Sequence, residues 1–371
     1  MHRINKIVNI QALRGIAVLL VILYHLIKIE GKYGHGNTVL PVFLSIGMSG
    51  VDLFFVISGF VMVTITRGWF QNTGAIRRFL YHRLTRIYPA YWFYSLLVLV
   101  VFLIKPEMVN SSQGGQMNIF ASFLLLPQEL LPLLAVGWTL IHEMYFYLMF
   151  ALLLLFPERW LLSLLMIWGV GAIGVGVALP LTGNPFLQVI THPLTLEFIA
   201  GCVIARIYFL KQYSSSGWYF LVLALIWWLV GYGIHAVQGY GQEPTGWLRV
   251  LLFGIPAALV VYALVNIERA TEQKLPYWLV LIGNASFSIY LSHVLVISAL
   301  GRIWGGLAIV SYGGNIAALL VILLSVLAIG ILSYQILERS LLRFTQRFEE
   351  VVVSSNSGQL ANYGKRVAPP S

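Results

Sequence analysis

The sequence predicts an all-α integral membrane protein of about ten transmembrane helices with both termini cytosolic, and three observations carry that prediction. First, 59% of the 371 residues are hydrophobic and only 10% are charged, where soluble domains carry about a quarter. So few polar residues cannot cover a water-facing globule of this size, and the surplus apolar surface must face lipid. Second, mostly apolar runs of about 20 residues, the length that crosses a hydrocarbon core, recur along the whole chain. Third, Lys and Arg are distributed unevenly between the connections.

The runs cover 8–29, 48–67, 87–104, 137–156, 160–180, 193–210, 217–235, 247–266, 278–300 and 314–336. The first is a retained span, since no small-residue cleavage site follows it. The stretch 119–134 is apolar but short and broken by Pro127 and Pro132, which suits a re-entrant or lipid-surface segment leading into the fourth span. Residues 1–350 form one transmembrane domain. Residues 351–371, polar and small, form a disordered cytosolic tail. With the N-terminus inside, eighteen of the Lys and Arg residues fall on the cytosolic side and five outside, the five being Lys28, Lys32, Lys105, Arg249 and Arg302. This asymmetry accounts for the formal net charge of +10 without a nucleic-acid partner. Cys202 is the single cysteine, so no intramolecular disulfide forms, and no metal site is expected.

Ionisable residues inside spans cost about 2.5–3.5 kcal/mol each on insertion scales, and this makes them candidates for function. Arg14 and His25 in the first span are eleven residues apart, on one helix face and about 16 Å apart along the axis. A snorkelling arginine and a helix-packing histidine are the structural alternatives for this pair. Asp52 lies near the outer end of the second span, where it also suits a helix N-terminus. The loop into the third span holds Arg77, Arg78, Arg83 and Arg86, with Arg83 and Arg86 on one face. Guanidinium forks suit phosphate oxygens, although positive-inside topology alone also places arginines there. Glu143 sits about two turns inside the outer boundary of the fourth span, with His142 pointing about 100° away. Glu197 and His293 are further outer-half candidates without an assigned role, and Glu338 beside Arg339 reads as a surface ion pair. His25, Asp52, Glu143, Glu197 and His293 thus fall in the outer half, and the arginines at the inner face. One end is suited to a polyanion and the other to proton transfer.

The stretches IQALRGIAVLLVILYH, GVDLFFVISGF, RFLYHRLTRIYPAYW, VGWTLIHEMYFYL and FSIYLSH, spread over residues 10–293, resemble the membrane acyltransferase 3 family. That family includes O-acetyltransferases of exopolysaccharides, O-antigens and lipo-oligosaccharide signals. Its arginine–histidine pair in the first span falls on Arg14 and His25, its paired arginines on Arg83 and Arg86, and its glutamate after a tryptophan on Glu143. The resemblance implies a multi-pass enzyme of the inner (plasma) membrane with acetyl-CoA as acyl donor on the cytosolic side. It implies a carbohydrate acceptor (exopolysaccharide, O-antigen or lipid-linked oligosaccharide), lipid as surroundings and polysaccharide synthesis machinery as a further partner.

On that expectation CoA phosphates meet Arg83, Arg86 and Arg78, with Arg14 at the channel mouth. His25 is the general base on the acceptor hydroxyl, and Asp52 or Glu143 orients its imidazole. A proton-coupled glycolipid transporter or flippase is the alternative, using the same buried groups as a relay, and a non-catalytic subunit of a synthesis complex is a third. Sidedness tests the frame. In a Cys202→Ser background, single cysteines in 31–45 should label with an impermeant thiol reagent in intact cells, and those in 70–78 only after permeabilisation. The reverse pattern would invert the protein.

Overall fold

The computed structural model describes residues 7–36, 38–179, 183–210, 216–237, 246–307 and 311–345, so the tail expected over 351–371 lies outside the described residues. Regular structure among these residues is entirely helical. The helices are α1 (Val8–Tyr33), α2 (Gly50–Ile65), α3 (Thr73–Ile104), α4 (Ile119–Phe123), α5 (Gly137–Leu153), α6 (Leu161–Ala178) and α7 (Pro185–Ile190). They continue as α8 (Leu194–Leu210), α9 (Gly217–Val237), α10 (Gly246–Arg249), α11 (Ile255–Thr271), α12 (Tyr277–Gly306) and α13 (Tyr312–Ser333). A 3-10 segment, Val42–Ser49, leads into α2, and π turns follow α10 and α13. Nine helical segments among the described residues are long and apolar enough to cross a membrane. At 17 residues, α5 is shorter. Leu96, Val100, Leu103 and Ile104 on α3 and Met166, Ile167 and Val170 on α6 are among the large apolar side chains left uncovered by protein, as lipid-facing residues are.

The third span differs from its expected bounds. Residues 73–104 form one continuous helix, capped by the Asn72 side chain accepting from the Ala75 amide at 3.0 Å. Arg77, Arg78, Arg83 and Arg86 therefore ride on α3 itself rather than in a loop before it. The start of α1 is capped from another helix. The carboxylate of Glu268 on α11 accepts from the amides of Val8 at 2.8 Å and Asn9 at 2.7 Å, meeting two of the four orphan donors of a helix start.

The segment 119–134 folds back against the middle of α3. Tyr88, Tyr91 and Trp92 donate to the carbonyls of Leu124, Ser122 and Phe123 at 2.9, 2.7 and 2.9 Å. The Ser122 hydroxyl in turn accepts from the Leu133 amide at 2.9 Å. Side chains thus take up backbone groups that this irregular segment leaves free, the condition for non-helical backbone among membrane spans. Gly137, the first residue of α5, lies against the Tyr91 ring, where an added side-chain carbon would sit 3.1 Å from the hydroxyl, tighter than ordinary contact.

Tight crossings hold the bundle. The helix α1 packs along α12 and α2 along α8. A side chain at Gly283 would overlap the carbonyl of Gln11, and one at Gly59 or Gly201 would overlap the carbonyls of Phe198 or Val56. Small residues let helix backbones meet where lipid offers no hydrophobic driving force between them. Gly59→Ala should therefore lower the thermal midpoint and the monodisperse fraction in detergent, whereas Gly171→Ala, with nothing within 4 Å of the added carbon, should leave both unchanged. Equal behaviour of the two variants would show that the α2–α8 crossing is not close-packed.

Candidate functional site

Helices α1, α2, α3, α5 and α12 enclose an open cavity of about 840 Å³. Arg14 enters it from α1, Arg83 and Arg86 from one face of α3, and Ser58 from α2. Glu143 and Tyr147, one turn apart, enter from α5, and Tyr290 from α12. Three guanidiniums thus share the cavity with one carboxylate. None of them makes an ion pair among the described residues, where the salt bridges are Arg206–Glu158 and Arg249–Asp52. Arg14 reaches only Gln11 Oε1, at 3.5 Å. The Arg83 guanidinium lies 5.7 Å from the Tyr147 ring centroid and 5.8 Å from that of Phe79, and its Nε is buried without a partner. The carboxylate of Glu143 accepts instead from the Tyr147 hydroxyl, with Ser58 Oγ at 3.5 Å. A second carboxylate, Glu338, lies within electrostatic reach of Arg14 and accepts from Ser288 Oγ at 2.5 Å.

This grouping corrects the expected separation of acids outside and arginines inside. Glu143 joins the arginines because α5 starts at the level of Tyr91, held down by the folded-back segment, so two turns into α5 lead to Arg83 and Arg86. Arg78 is exposed on α3, bonded to His82 at 3.3 Å, and does not line the cavity. Glu338 is buried rather than a surface partner of Arg339.

Asp52 is placed elsewhere. Its carboxylate is fully buried and forms a two-pronged pair with Arg249, with Nε–Oδ1 and Nη2–Oδ2 both at 2.9 Å. Arg249 also donates to the Met48 carbonyl at 3.1 Å. Glu197 is buried beside this pair, its carboxylate close to that of Asp52 and against Gly254. Neither Asp52 nor Glu143 bonds to His25, so neither orients its ring. That role falls to the backbone: His25 Nδ1 lies 2.9 Å from the Val21 carbonyl, one turn back on α1. A carbonyl can only accept, so Nδ1 carries the proton and Nε2 keeps its lone pair. The His25 ring meets that of His293 edge-on at 4.7 Å between centroids. His293 has the same arrangement, Nδ1 to the Tyr290 carbonyl at 2.6 Å and Nε2 buried without a partner.

Tyr290 joins the histidine pair to the cavity. Its ring lies 5.5 Å from His293, and its hydroxyl meets Thr139 Oγ1 at 2.8 Å across to α5. Sequence reasoning missed Tyr147, Tyr290 and Arg249. Helical spacing held the first two, since Tyr147 is four residues after Glu143 and Tyr290 three before His293. The signal for Arg249 was a second charge of opposite sign near the same outer boundary as Asp52.

The Asp52–Arg249 pair yields a direct test. Asp52→Ala removes the counter-charge of a buried arginine, a loss of about 3–5 kcal/mol, and should sharply reduce folded protein in the membrane. The double variant Asp52→Leu/Arg249→Met should recover much of that yield. A single variant that folds normally but loses activity would return Asp52 to the chemistry.

Comparison with known proteins adds a separate line. A family model for an acyltransferase domain (acyltransferase 3) matches residues 7–335. The exopolysaccharide production protein ExoZ of Rhizobium meliloti (strain 1021) is 31% identical over 331 residues, covering 84% of this chain and 92% of that protein. The O-acetyltransferase OatA of Staphylococcus aureus (strain NCTC 8325 / PS 47) is 26% identical over 330 residues, covering 78% of this chain. The chain spans only 50% of the length of that relative. No solved structure matches the chain.

Proposed function

The chain belongs to the acyltransferase 3 family of acyl-transferring enzymes, and on that premise we propose that it moves an acetyl group from acetyl-CoA to a hydroxyl of a cell-surface or exported carbohydrate. The carrying observation is the cavity in which Arg14, Arg83 and Arg86 stand without ion-pair partners. Phosphate-bearing CoA offers the oxygens that guanidinium forks take, and a thioester at the far end of a long, thin arm. Residues 14 and 25 are about 16 Å apart along α1, a rise comparable to that arm when extended. A donor held by the arginines then presents its thioester near the His25–His293 pair, past Tyr290.

In the reaction His25 Nε2 removes the proton of the acceptor hydroxyl as its oxygen attacks the thioester carbonyl carbon. The carbon–sulfur bond breaks, the imidazolium returns the proton to the departing thiolate, and an ester and free CoA remain. Glu143 offsets part of the arginine charge. Asp52 serves the fold and Arg78 the outside of α3, so neither takes a role in this scheme.

Sidedness is part of the proposal. The Gln71 amide before α3 donates to Leu154 O, just after α5, at 2.7 Å, which returns α5 to the side where α3 begins. Counted as a crossing, α5 makes ten with the nine longer segments among the described residues, an even number that would put residues 8 and 345 on one side. The Lys and Arg asymmetry makes that side the cytosol, which suits an enzyme of the inner membrane drawing on cytosolic acetyl-CoA.

The test uses the purified protein in lipid nanodiscs, labelled acetyl-CoA and the host's own surface polysaccharide after mild-base de-esterification. His25→Ala should lower transfer by about 10²–10⁴-fold with normal yield of folded protein. Arg83→Ala/Arg86→Ala should raise KM for acetyl-CoA, more so at high salt, and Lys at these positions should restore it only in part. Transfer within a few-fold of normal in His25→Ala would remove the base assignment, and an unchanged donor KM would make the arginines purely topological.

A further inference from the structure

A second cavity, of about 710 Å³, lies at the end of the bundle where α5 begins. Its wall combines residues 128–132 of the folded-back segment, the first turns of α5, and α7 with the residues after it. Its chemistry is unlike that of the arginine cavity. Among the described residues no Lys or Arg lines it, and the one charged group in the lining is Glu129, which is exposed.

Two groups in this wall have hydrogen-bonding capacity that the protein leaves unused. The Gln128 side-chain oxygen and nitrogen are both buried, and neither has a partner. A primary amide can donate two hydrogen bonds and accept two, so it is an expensive group to bury unmet. His142 presents a second such atom. Its Nδ1 is satisfied by the Trp138 carbonyl at 3.0 Å, which leaves Nε2 as an acceptor, buried and without a partner. The His142 ring is held edge-on to that of His192 at 4.6 Å. The half-buried indole of Trp138 adds a flat apolar surface to the same wall.

From this juxtaposition we propose that the second cavity is a subsite for a sugar ring of the acceptor, bound through Gln128, His142 and Glu129 with Trp138 against its apolar face. The proposal rests on the acyltransferase reading given above. An amide, an imidazole acceptor and a carboxylate match the alternating donors and acceptors of ring hydroxyls, and an indole matches the C–H face of a pyranose. A lining without Lys or Arg among the described residues suits the phosphate-rich donor poorly. A neutral polyhydroxylated glycan therefore suits it better than CoA.

The helix α5 carries a wall of each cavity. Trp138 and His142 face the second, while Thr139, Glu143 and Tyr147 face the first, about 100° around the helix. The subsite grips the polymer and does not place its reacting hydroxyl, so it governs acceptor affinity and not the chemical step.

The experiment uses the full chain in lipid nanodiscs with the de-esterified surface polysaccharide as probe. Gln128→Ala and Glu129→Ala should each raise the acceptor KM roughly 3- to 10-fold, with kcat and the KM for acetyl-CoA within about twofold of normal. Should Gln128→Ala misfold, Glu129→Ala decides alone, because that side chain is exposed and its loss leaves the core intact. Retention of the nanodiscs on immobilised polysaccharide, measured without acetyl-CoA, separates this inference from the activity. Wild-type retention that weakens in the variants supports the subsite even if no acetyl is transferred. Equal acceptor KM and equal retention in wild type and variants, or no retention of the wild type, overturns it.

Discussion

The Tyr91 hydroxyl donates to the carbonyl of Ser122, and with Tyr88 and Trp92 it binds the stretch before α5 to the middle of α3. Irregular backbone among membrane spans is tolerated only where its polar groups are taken up by protein, and these three side chains meet that condition. The consequences reach both cavities. Because Gly137 rests on Tyr91, α5 starts within the bundle rather than at its edge, and at 17 residues it is short. Its Glu143 therefore arrives beside Arg83 and Arg86, while the space above its first turn, roofed by residues 128–132, remains as the second cavity.

Nine of the ten expected crossings and the family were legible in the sequence for physical reasons. Lipid demands about 20 apolar residues per helix, and that demand leaves a periodic record. The depth of Glu143 left no such record. Counting turns from the start of an apolar run assumes that the run starts at the boundary, and the folded-back segment breaks that assumption. The partner of Asp52 was hidden because Arg249 lies 197 residues away. A local interaction displaced the expected carboxylate at His25: a helical histidine always has the carbonyl one turn back within reach, and here Val21 supplies it. Arg83 and Arg86 were legible as a pair because helical spacing alone puts them on one face. Arg78 was separated from them only by the continuation of α3 through residues that read as a loop.

The buried charges fall into two groups with different logic. Asp52 and Arg249 form a two-pronged pair, with Met48 O taking a further Arg249 donor, so the pair fixes α2 against the segment entering α11. The arginine cavity is the opposite case. Guanidinium is weakly hydrated and stacks on aromatic faces, and this is how Arg83 is accommodated between Phe79 and Tyr147 without an anion.

What keeps those arginines available is the way neighbouring carboxylates are occupied. Glu143 and Glu338 both lie within electrostatic reach of Arg14, close enough to moderate the repulsion among three cations. An ion pair with either would fill the guanidinium forks and oppose the binding of phosphate. The carboxylates accept instead from hydroxyls, Glu143 from Tyr147 and Ser58 and Glu338 from Ser288. The acids thus lower the cost of gathering the arginines without using up their donors. A Tyr or Ser beside a buried acid is easily read as mere support for that acid. Here the hydroxyls give each carboxylate a neutral donor, and the guanidinium donors of Arg14, Arg83 and Arg86 are left for another ligand.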